Sequence, residues 1–307
     1  MLDRLDGLRR QSVRTASRTS VLTLVVVAGS DEQATEASRI MGALGGHHPA
    51  RVVVVRTRPE AADAGVDASV TVYGAEVGSH AVSFEEIALD VRASGCEHLD
   101  SIIEPFTLSD LPLVIWYPST LPEVSDCLLP VANAVVVDSR DTGAIETWAG
   151  LIDLARRRTA VDLSWERLAP WRELLAGLFD SPLYRPFAGA VSSIEVHGKA
   201  GPRQLLAGWL LSRLGSPAID VRLADARHVT IRLQGLHDGR HGTFEVLRNG
   251  GERVVRAAAV IKGGPSHREV LALPDNSLAW SLSRALTHLH PDRTWQQALS
   301  AAVGLGH

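Results

Sequence analysis

Residues 21–27 read Val-Leu-Thr-Leu-Val-Val-Val, a continuous run rich in β-branched side chains. Such a run is typical of a strand covered on both faces in a parallel sheet. Ser30 and Gln33 follow with the spacing of a helix capping box, and apolar residues then recur with helical periodicity up to Leu44. A second valine run at 52–55 completes a β-α-β unit with a right-handed crossover. The opening of the chain therefore predicts an α/β domain.

The α/β pattern continues to about Thr159. Residues 68–73 and 87–91 look like two strands without a full helix between them, which indicates an antiparallel pair at one edge of the sheet. Together with the first strands, the later elements predict a doubly wound sheet. Those later elements are strands at 113–116 and 134–138, a short helix at 98–106, a short helical turn at 127–131 and a longer helix at 145–157.

The pattern changes in the second half of the chain. Apolar residues from Trp165 to Leu178 share one helical stripe, which predicts a linking helix. A strand at 191–196 and a helix at 201–214 follow it. Residues 219–273 then alternate with period two, and the dipeptides Asp238-Gly239 and Asn249-Gly250 predict hairpin turns. Two helices, at 278–289 and 294–303, complete the pattern, and we expect both to pack on the second sheet.

These patterns predict an α/β fold with a doubly wound, mostly parallel N-terminal sheet, followed by an α+β C-terminal domain with an antiparallel meander. The predicted organisation is an N-terminal arm at 1–20, a Rossmann-like α/β domain at 21–160, the linking helix at 161–187 and the α+β domain at 188–307.

Composition narrows the class of protein. The 307 residues include 31 Lys and Arg and 35 Asp and Glu, so the chain has no excess of positive charge that could neutralise a run of phosphates. Nucleic acid is therefore not an expected partner. Two cysteines without metal-ligand spacing argue against a disulfide scaffold and a structural zinc. The basic arm before Val21 contains two aspartates and does not read as an export signal. No apolar stretch reaches the roughly 20 residues of a membrane span. We expect a cytoplasmic protein without membrane contact.

Catalytic and cofactor motifs are sparse. The turn after the first strand, Ala-Gly-Ser-Asp at 28–31, has one glycine where a dinucleotide site needs three, and Asp31 would repel a phosphate. No Walker loop and no nucleophile elbow occur. The histidine pairs at 47–48 and 237/241 flank turn signals and lack a third ligand. We predict no catalytic residue, no cofactor and no metal.

The aromatic residues are the more informative feature. Seven Trp occur against three Tyr, and residues 116–118 read Trp-Tyr-Pro at the C-terminal end of a predicted strand. That edge of a doubly wound sheet is where ligands and partners usually bind, and Trp and Tyr are enriched in interface hot spots. The alternative is that the rings form an inter-domain core. The candidate partner-binding residues are Trp116, Tyr117, Pro118, Trp165, Trp171 and Arg172.

Four stretches in a fixed order carry a resemblance to a known family. They are the strand at 22–27, Leu-Pro-Leu-Val-Ile-Trp-Tyr-Pro at 111–118, Asp-Leu-Ser-Trp-Glu-Arg at 162–167 with Trp171-Arg172, and Leu-Leu-Ala-Gly-Trp-Leu at 205–210. Asp292-Arg293-Thr294 is a weaker match. The chain resembles the OpcA family, the glucose-6-phosphate dehydrogenase assembly proteins of actinobacteria and cyanobacteria. It departs from the family at Tyr117, where a second Trp is usual, and residues 219–273 match no family motif.

The resemblance implies a non-catalytic protein that binds glucose-6-phosphate dehydrogenase, favours its active oligomer and raises its activity at the entry to the pentose phosphate pathway. It supplies no redox role for Cys96 or Cys127. Two other classes of function stay open. One is a sugar-phosphate or nucleotide-binding enzyme that uses the cleft between the domains, and the other is a sensor of such a metabolite.

Overall fold

The structure is a computed structural model that describes residues 20–44, 50–77, 80–142, 145–214, 218–248, 253–273 and 277–305. The predicted N-terminal arm, the histidine pair at 47–48 and the Asn249-Gly250 turn lie outside the described residues. The chain divides into two compact units. The first unit comprises residues 1–138, 154–161 and 278–291, and the second comprises residues 139–153, 162–277 and 292–307.

The described part of the chain forms two sheets, of seven and six strands. The first has the strand order β3-β4-β2-β1-β5-β6-β7. β1 pairs in parallel with β2 and β5, β2 with β4, and β5 with β6, whereas the edge strand β3 is antiparallel to β4. The predicted mostly parallel sheet and its antiparallel edge pair are confirmed. The strands are β1 (Leu22–Ala28), β2 (Ala50–Arg58), β3 (Gly65–Val77), β4 (His80–Arg92), β5 (Leu113–Trp116), β6 (Ala134–Val137) and β7 (Thr159–Asp162).

The first helix, α1 (Asp31–Leu44), begins as its sequence predicts. Gln33 N donates to Ser30 Oγ at 3.2 Å, and Gly29 N donates to Gln33 Oε1 at 2.9 Å. Two amide groups that the helix itself leaves unpaired are thereby satisfied by side chains. Ile40, Met41 and Leu44 are buried, and this apolar face packs α1 on the sheet.

The other helical segments before β7 follow the predicted positions with one difference, at residues 98–106. The predicted helix at 98–106 is a short α-helix, α2 (Leu99–Ile103), between two 3₁₀ turns. Residues 127–131 form hydrogen-bonded turns, with one α-type bond from Ala132 N to Leu128 O at 3.1 Å. The longer helix, α3 (Ile145–Arg157), has the predicted bounds.

The second sheet has six strands in the order β13-β12-β11-β10-β8-β9. Strands β10 to β13 form the predicted antiparallel meander, and the Asp238-Gly239 turn has the positive φ values, 49° and 70°, of a tight hairpin turn. β9 is instead parallel to β8, because helix α7 (Ala200–Arg213) connects the two strands as a crossover. The strands are β8 (Val191–His197), β9 (Asp220–Ala224), β10 (Thr230–His237), β11 (Arg240–Leu247), β12 (Val254–Ile261) and β13 (Ser266–Ala272).

The region predicted as one linking helix is more divided in the structure. It contains the end of β7 and then α4 (Leu163–Arg167), α5 (Ala169–Asp180) and α6 (Arg185–Ala188). Pro170 has no N–H with which to continue α4, and it lies instead in the first turn of the new helix, which begins at Ala169. The predicted domain boundaries stay a prediction.

The two C-terminal helices belong to different units. α8 (Leu278–Thr287) packs on α1 in the first unit, and α9 (Arg293–Val303) packs on α7 in the second. The expectation that both helices pack on the second sheet was therefore wrong. Helical periodicity shows which face of α8 is buried, but it does not show which core receives that face.

Candidate functional site

The first three candidate residues lie at the C-terminal end of β5, as predicted. Trp116 ends the strand and is 1% exposed, and Tyr117 is 2% exposed. Tyr117 N donates to Val136 O at 2.9 Å, which continues the pairing with β6. Pro118 is half-buried. Both rings therefore belong to the core of the first unit and do not lie on its surface.

Tyr117 ties the following loop to the sheet. Its Oη donates to Asp126 Oδ2 at 2.8 Å, and Leu128 N donates to Asp126 Oδ1 at 2.8 Å. Burial, followed by the negative charge of Asp126 and the hydrogen bond to it, raises the pKa of Tyr117 above its ordinary value of 10.0. The phenol is thus a permanent hydrogen-bond donor that links the loop to the end of β5 through Asp126.

The loop that connects β5 to β6 begins at Pro118, and its residues 118–131 carry several exposed groups. We refer to it as the 118–131 loop. Ser119 and Thr120 are exposed, and two apolar side chains point outward, Val124 at 63% exposure and Val131 at 46%. Because β6 is parallel to β5, the loop leaves the C-terminal end of β5 and returns to the N-terminal end of β6, where Asn133 N donates to Leu113 O. Exposed apolar side chains on such a loop are suited to a protein contact.

In the second unit, a buried carboxylate organises the start of α4. Asp162 is 1% exposed and accepts from Ser164 N at 2.9 Å, which caps the helix. It also accepts from Ser139 N at 3.1 Å and from Ser139 Oγ at 2.6 Å. The aspartate of the Asp-Leu-Ser-Trp stretch therefore has a structural role, because its hydrogen bonds connect two separate segments of the unit.

Trp165 is at the centre of a second set of polar contacts. Its Nε1 donates to Asp292 Oδ2 at 2.7 Å, while Asp292 Oδ1 accepts from Thr294 N at 2.7 Å and caps α9. Arg172 stacks on the indole, with Cζ 3.5 Å from the ring centroid, and donates to Trp165 O at 3.2 Å. The weaker sequence match at 292–294 is thus in direct contact with the stronger match at 162–167.

Trp171 fixes a different part of the same unit. It is 3% exposed, and its Nε1 donates to Val229 O at 3.2 Å, which holds the segment before β10. Of the six candidate residues, the four aromatic side chains are buried, and Pro118 and Arg172 are half-buried. The structure brings Trp165 and Arg172 together, but Trp116, Tyr117 and Pro118 are in the other unit. The partner-binding role of the six stays a prediction.

The sequence analysis missed the two capping aspartates. Asp162 and Asp292 share one local signal, an aspartate two residues before Ser164 or Thr294 at a helix start. The analysis also missed the cationic side chains around Trp171, because they come from five separate segments and form no motif.

The described residues offer neither a metal site nor a membrane-spanning helix. Within the described residues, no group of three or more His, Cys, Asp and Glu side chains is arranged to hold a metal ion. Cys96 and Cys127 are free thiols, both half-buried. Across the same part of the chain, none of the helices has the length and apolar character that a bilayer crossing requires.

Comparison with known proteins decides the family. A family model described as the N-terminal domain of a glucose-6-phosphate dehydrogenase subunit matches residues 41–155, and the corresponding C-terminal domain model matches residues 158–299; both carry the OpcA name. The chain belongs to the OpcA family. The two matches are consecutive and include the segments that carry the Trp-Tyr-Pro and Asp-Leu-Ser-Trp stretches.

Curated OpcA family relatives are cyanobacterial. The OxPP cycle protein OpcA of Synechocystis is 29% identical over 191 residues, 58% of this chain and 40% of that protein. Its counterpart in Nostoc punctiforme is 31% identical over 169 residues, 50% of this chain and 35% of that protein. The matched part of this OpcA family chain thus spans less than half of the length of these relatives.

Solved structures are similar to this OpcA family chain at low sequence identity. An oxidoreductase from Sinorhizobium meliloti matches with a TM-score of 0.45 and 11% identity, covering 92% of this chain and 86% of that one. A mutant of Gal80p from Saccharomyces cerevisiae matches with a TM-score of 0.42 and 11% identity, covering 87% and 83%. Neither match carries an inference about function.

Proposed function

We propose that this protein is a non-catalytic assembly factor and activator of glucose-6-phosphate dehydrogenase in the oxidative pentose phosphate pathway. The observation that carries the proposal is the match of both OpcA domain models, each described as part of a subunit of that dehydrogenase, to residues 41–155 and 158–299. The roles of Asp162, Trp165 and Asp292 support it, because these residues of the family-like stretches are engaged in helix caps and core contacts. The proposal places the protein in the cytoplasm.

Activation sets an energetic requirement. An activator must bind the active state of the dehydrogenase more tightly than the inactive state, and each factor of ten in that preference corresponds to about 1.4 kcal/mol. A few well-placed apolar contacts supply differences of this size.

The 118–131 loop is the contact surface that the geometry favours in the first unit. Its outward side chains include Val124 and Val131, and the Tyr117 to Asp126 hydrogen bond links it to the end of β5. A fixed loop loses less conformational entropy on binding than a free one. In this proposal Pro118 contacts the partner directly. Trp116 and Tyr117 are buried and contribute indirectly, by positioning the loop.

Trp165, Trp171 and Arg172 have a supporting role in the same proposal. Their contacts with Asp292, Val229 and Trp165 respectively hold helices and a loop of the second unit in place. Partner contact from this group would come through the half-buried Arg172.

Sedimentation velocity with the same organism's dehydrogenase tests the binding step. The wild-type protein is expected to co-sediment with the enzyme as a new, faster species. Val124→Asp places a charge on the 118–131 loop and is expected to weaken that species by about tenfold or more in Kd. Val270→Asp is the matched control, because Val270 is 58% exposed on β13 in the other unit.

Two outcomes contradict the proposal at different levels. If wild-type protein and active dehydrogenase sediment independently at micromolar concentrations, direct assembly is ruled out. If they associate but Val124→Asp and Val270→Asp behave alike, the 118–131 loop is not the contact surface and the partner assignment stands.

A further inference from the structure

The second unit contains a pocket of about 300 Å³ with an unusual concentration of positive charge. We define it by its six basic lining residues and refer to it as the basic pocket. Among the lining residues that the structure describes, none is Asp or Glu. Its volume is at the lower end of the range for small-molecule sites. The six residues are Arg140, Arg167, Lys199, Arg227, His228 and Arg248.

The basic pocket is assembled from rigid parts. Lys199 is the N-cap residue of α7, a helix whose start has no side-chain cap, and Pro202 in its first turn also lines the pocket. The positive end of the helix dipole therefore adds to the charge of the side chains. Arg167 ends α4 and is 8% exposed, so its guanidinium is held within the unit.

The loop that supplies Arg227 and His228 is held at both ends. Ala226 N donates to Gly198 O at 3.3 Å, and Trp171 Nε1 donates to Val229 O at 3.2 Å. The carboxylate of Asp225 in this loop forms an ion pair with Arg203, which does not line the pocket. The loop thus presents its two basic side chains while its one acidic side chain is engaged elsewhere.

The basic side chains of the pocket differ in whether a described residue neutralises their charge. Lys199 Nζ pairs with Asp141 Oδ1 at 3.0 Å, outside the pocket lining. Arg248 Nε is buried, and no described residue accepts a hydrogen bond from it. Burial and then the charges of Arg248 and Arg227 lower the pKa of His228 below its ordinary value of 6.5. Clustered cations that repel one another are stabilised by a bound anion.

The remaining lining residues favour an organic ligand over a free ion. Leu168, Trp171 and Val229 provide apolar surface beside the cations, and Ser164 is a polar neighbour. Arginine guanidinium groups can donate two parallel hydrogen bonds to phosphate oxygens. Apolar lining residues accommodate the carbon part of a ligand. We propose that the basic pocket is a binding site for a small phosphorylated organic molecule. This inference goes beyond the proposed assembly function and does not depend on it.

Isothermal titration of the full chain tests the site at constant ionic strength. The probes are pyrophosphate, ribose 5-phosphate and, as the matched neutral compound, ribose. Ribose 5-phosphate and pyrophosphate are expected to bind saturably at one site, and ribose at least about tenfold more weakly. The variant Arg227→Gln/Arg248→Gln is expected to lower the affinity for ribose 5-phosphate by about tenfold or more, because two of the positive charges that line the pocket are removed.

Arg268→Gln is the matched control, because Arg268 is an exposed arginine on β13 that does not line the pocket. It is expected to keep wild-type affinity, and circular dichroism checks that all three proteins are folded. The proposal is overturned if no phosphate probe binds saturably, or if the pocket and control variants weaken binding equally. It is also overturned if the pocket variant loses only its affinity for the dehydrogenase, since the pocket would then receive an acidic group of a protein.

Discussion

Trp165 Nε1 donates a hydrogen bond of 2.7 Å to Asp292 Oδ2, across 127 positions of sequence. The other carboxylate oxygen of Asp292 accepts from Thr294 N and Trp295 N and so caps α9. One side chain therefore joins α4 to the last helix of the second unit. Because two of the family-like stretches meet here, this contact accounts for their joint presence in the sequence.

Asp292→Ala is expected to destabilise the second unit by about 3 kcal/mol. The substitution removes a helix cap, which contributes about 1 kcal/mol, and leaves the indole N–H of the buried Trp165 without its acceptor, which costs about 1–3 kcal/mol. Urea unfolding followed by circular dichroism measures the loss. Asp110→Ala is the control, since Asp110 is exposed and caps no helix. Equal, small effects of the two substitutions would show that the Trp165 contact contributes little.

Gly208→Ala is expected to destabilise the protein strongly. Gly208 lies within α7, and a Cβ there would overlap Ala298 O and crowd Ala302 of α9. Backbone atoms do not give way as a flexible side chain does, so we expect a loss of more than about 2 kcal/mol. Gly177→Ala in α5 is the matched control, because a Cβ at Gly177 meets nothing within 4 Å.

The control variant Gly177→Ala is not expected to lower the stability of the protein. Alanine favours a helix by about 1 kcal/mol over glycine, so Gly177→Ala should leave stability unchanged or raise it. Thermal unfolding of both variants measures the contrast. A Gly208→Ala protein as stable as Gly177→Ala would mean that α7 and α9 do not approach closely at this position.

Glu86 predicts a pH-dependent stability. Its carboxyl group is 5% exposed in β4 and accepts from Ser38 Oγ at 2.8 Å, and burial raises its pKa above the ordinary value of 4.5. A raised pKa means that the folded state binds the proton more tightly than the unfolded state. The contribution of Glu86 is therefore most favourable below pH 4.5 and is lost as the pH rises through the folded-state pKa.

Glu86→Gln tests this sign directly. Glutamine stays neutral and keeps an acceptor for Ser38, so the variant is expected to be more stable than wild type at neutral pH, with the difference shrinking in acid. Unfolding free energies at a series of pH values measure it, with Glu60→Gln in an exposed turn as control. A difference that does not change with pH would contradict the buried carboxyl.

Tyr117→Phe is expected to loosen the 118–131 loop without removing the ring from the core. Loss of the hydrogen bond to the Asp126 carboxylate should cost about 2 kcal/mol, the usual range for a bond to a charged group. Amide exchange of residues 118–131 should accelerate, and Leu128, whose N–H is held by Asp126, should respond most clearly. Tyr184→Phe removes a hydroxyl from a second buried tyrosine and should leave the loop unchanged. Unaltered exchange in Tyr117→Phe would show that the loop is held by other contacts.

The sequence predicted those elements whose local pattern reflects their burial. β1 and β2 are continuous β-branched runs because both faces are covered, and the Asp238-Gly239 hairpin follows from φ values that glycine and aspartate tolerate. The Trp116-Tyr117 pair was placed correctly at the end of β5. Its burial was not predictable, since an aromatic residue at a strand end serves equally well in a core or at an interface.

Other features depend on contacts between distant residues. β7 (Thr159–Asp162) reads Thr-Ala-Val-Asp and has only two apolar residues, whereas the equally short β5 and β6 are continuous apolar runs. α8 was assigned to the wrong core because its apolar stripe is compatible with either sheet. The basic pocket joins residues from Arg140 to Arg248, so only the folded chain shows their common location.

Activation of the dehydrogenase is the central claim, and steady-state kinetics tests it most directly. The rate of NADP reduction by the same organism's glucose-6-phosphate dehydrogenase is measured over a range of glucose 6-phosphate, with and without this protein. We predict a lower apparent KM or a higher kcat that saturates as the protein is added. An unchanged rate, with the dehydrogenase active and both proteins folded, would contradict the account.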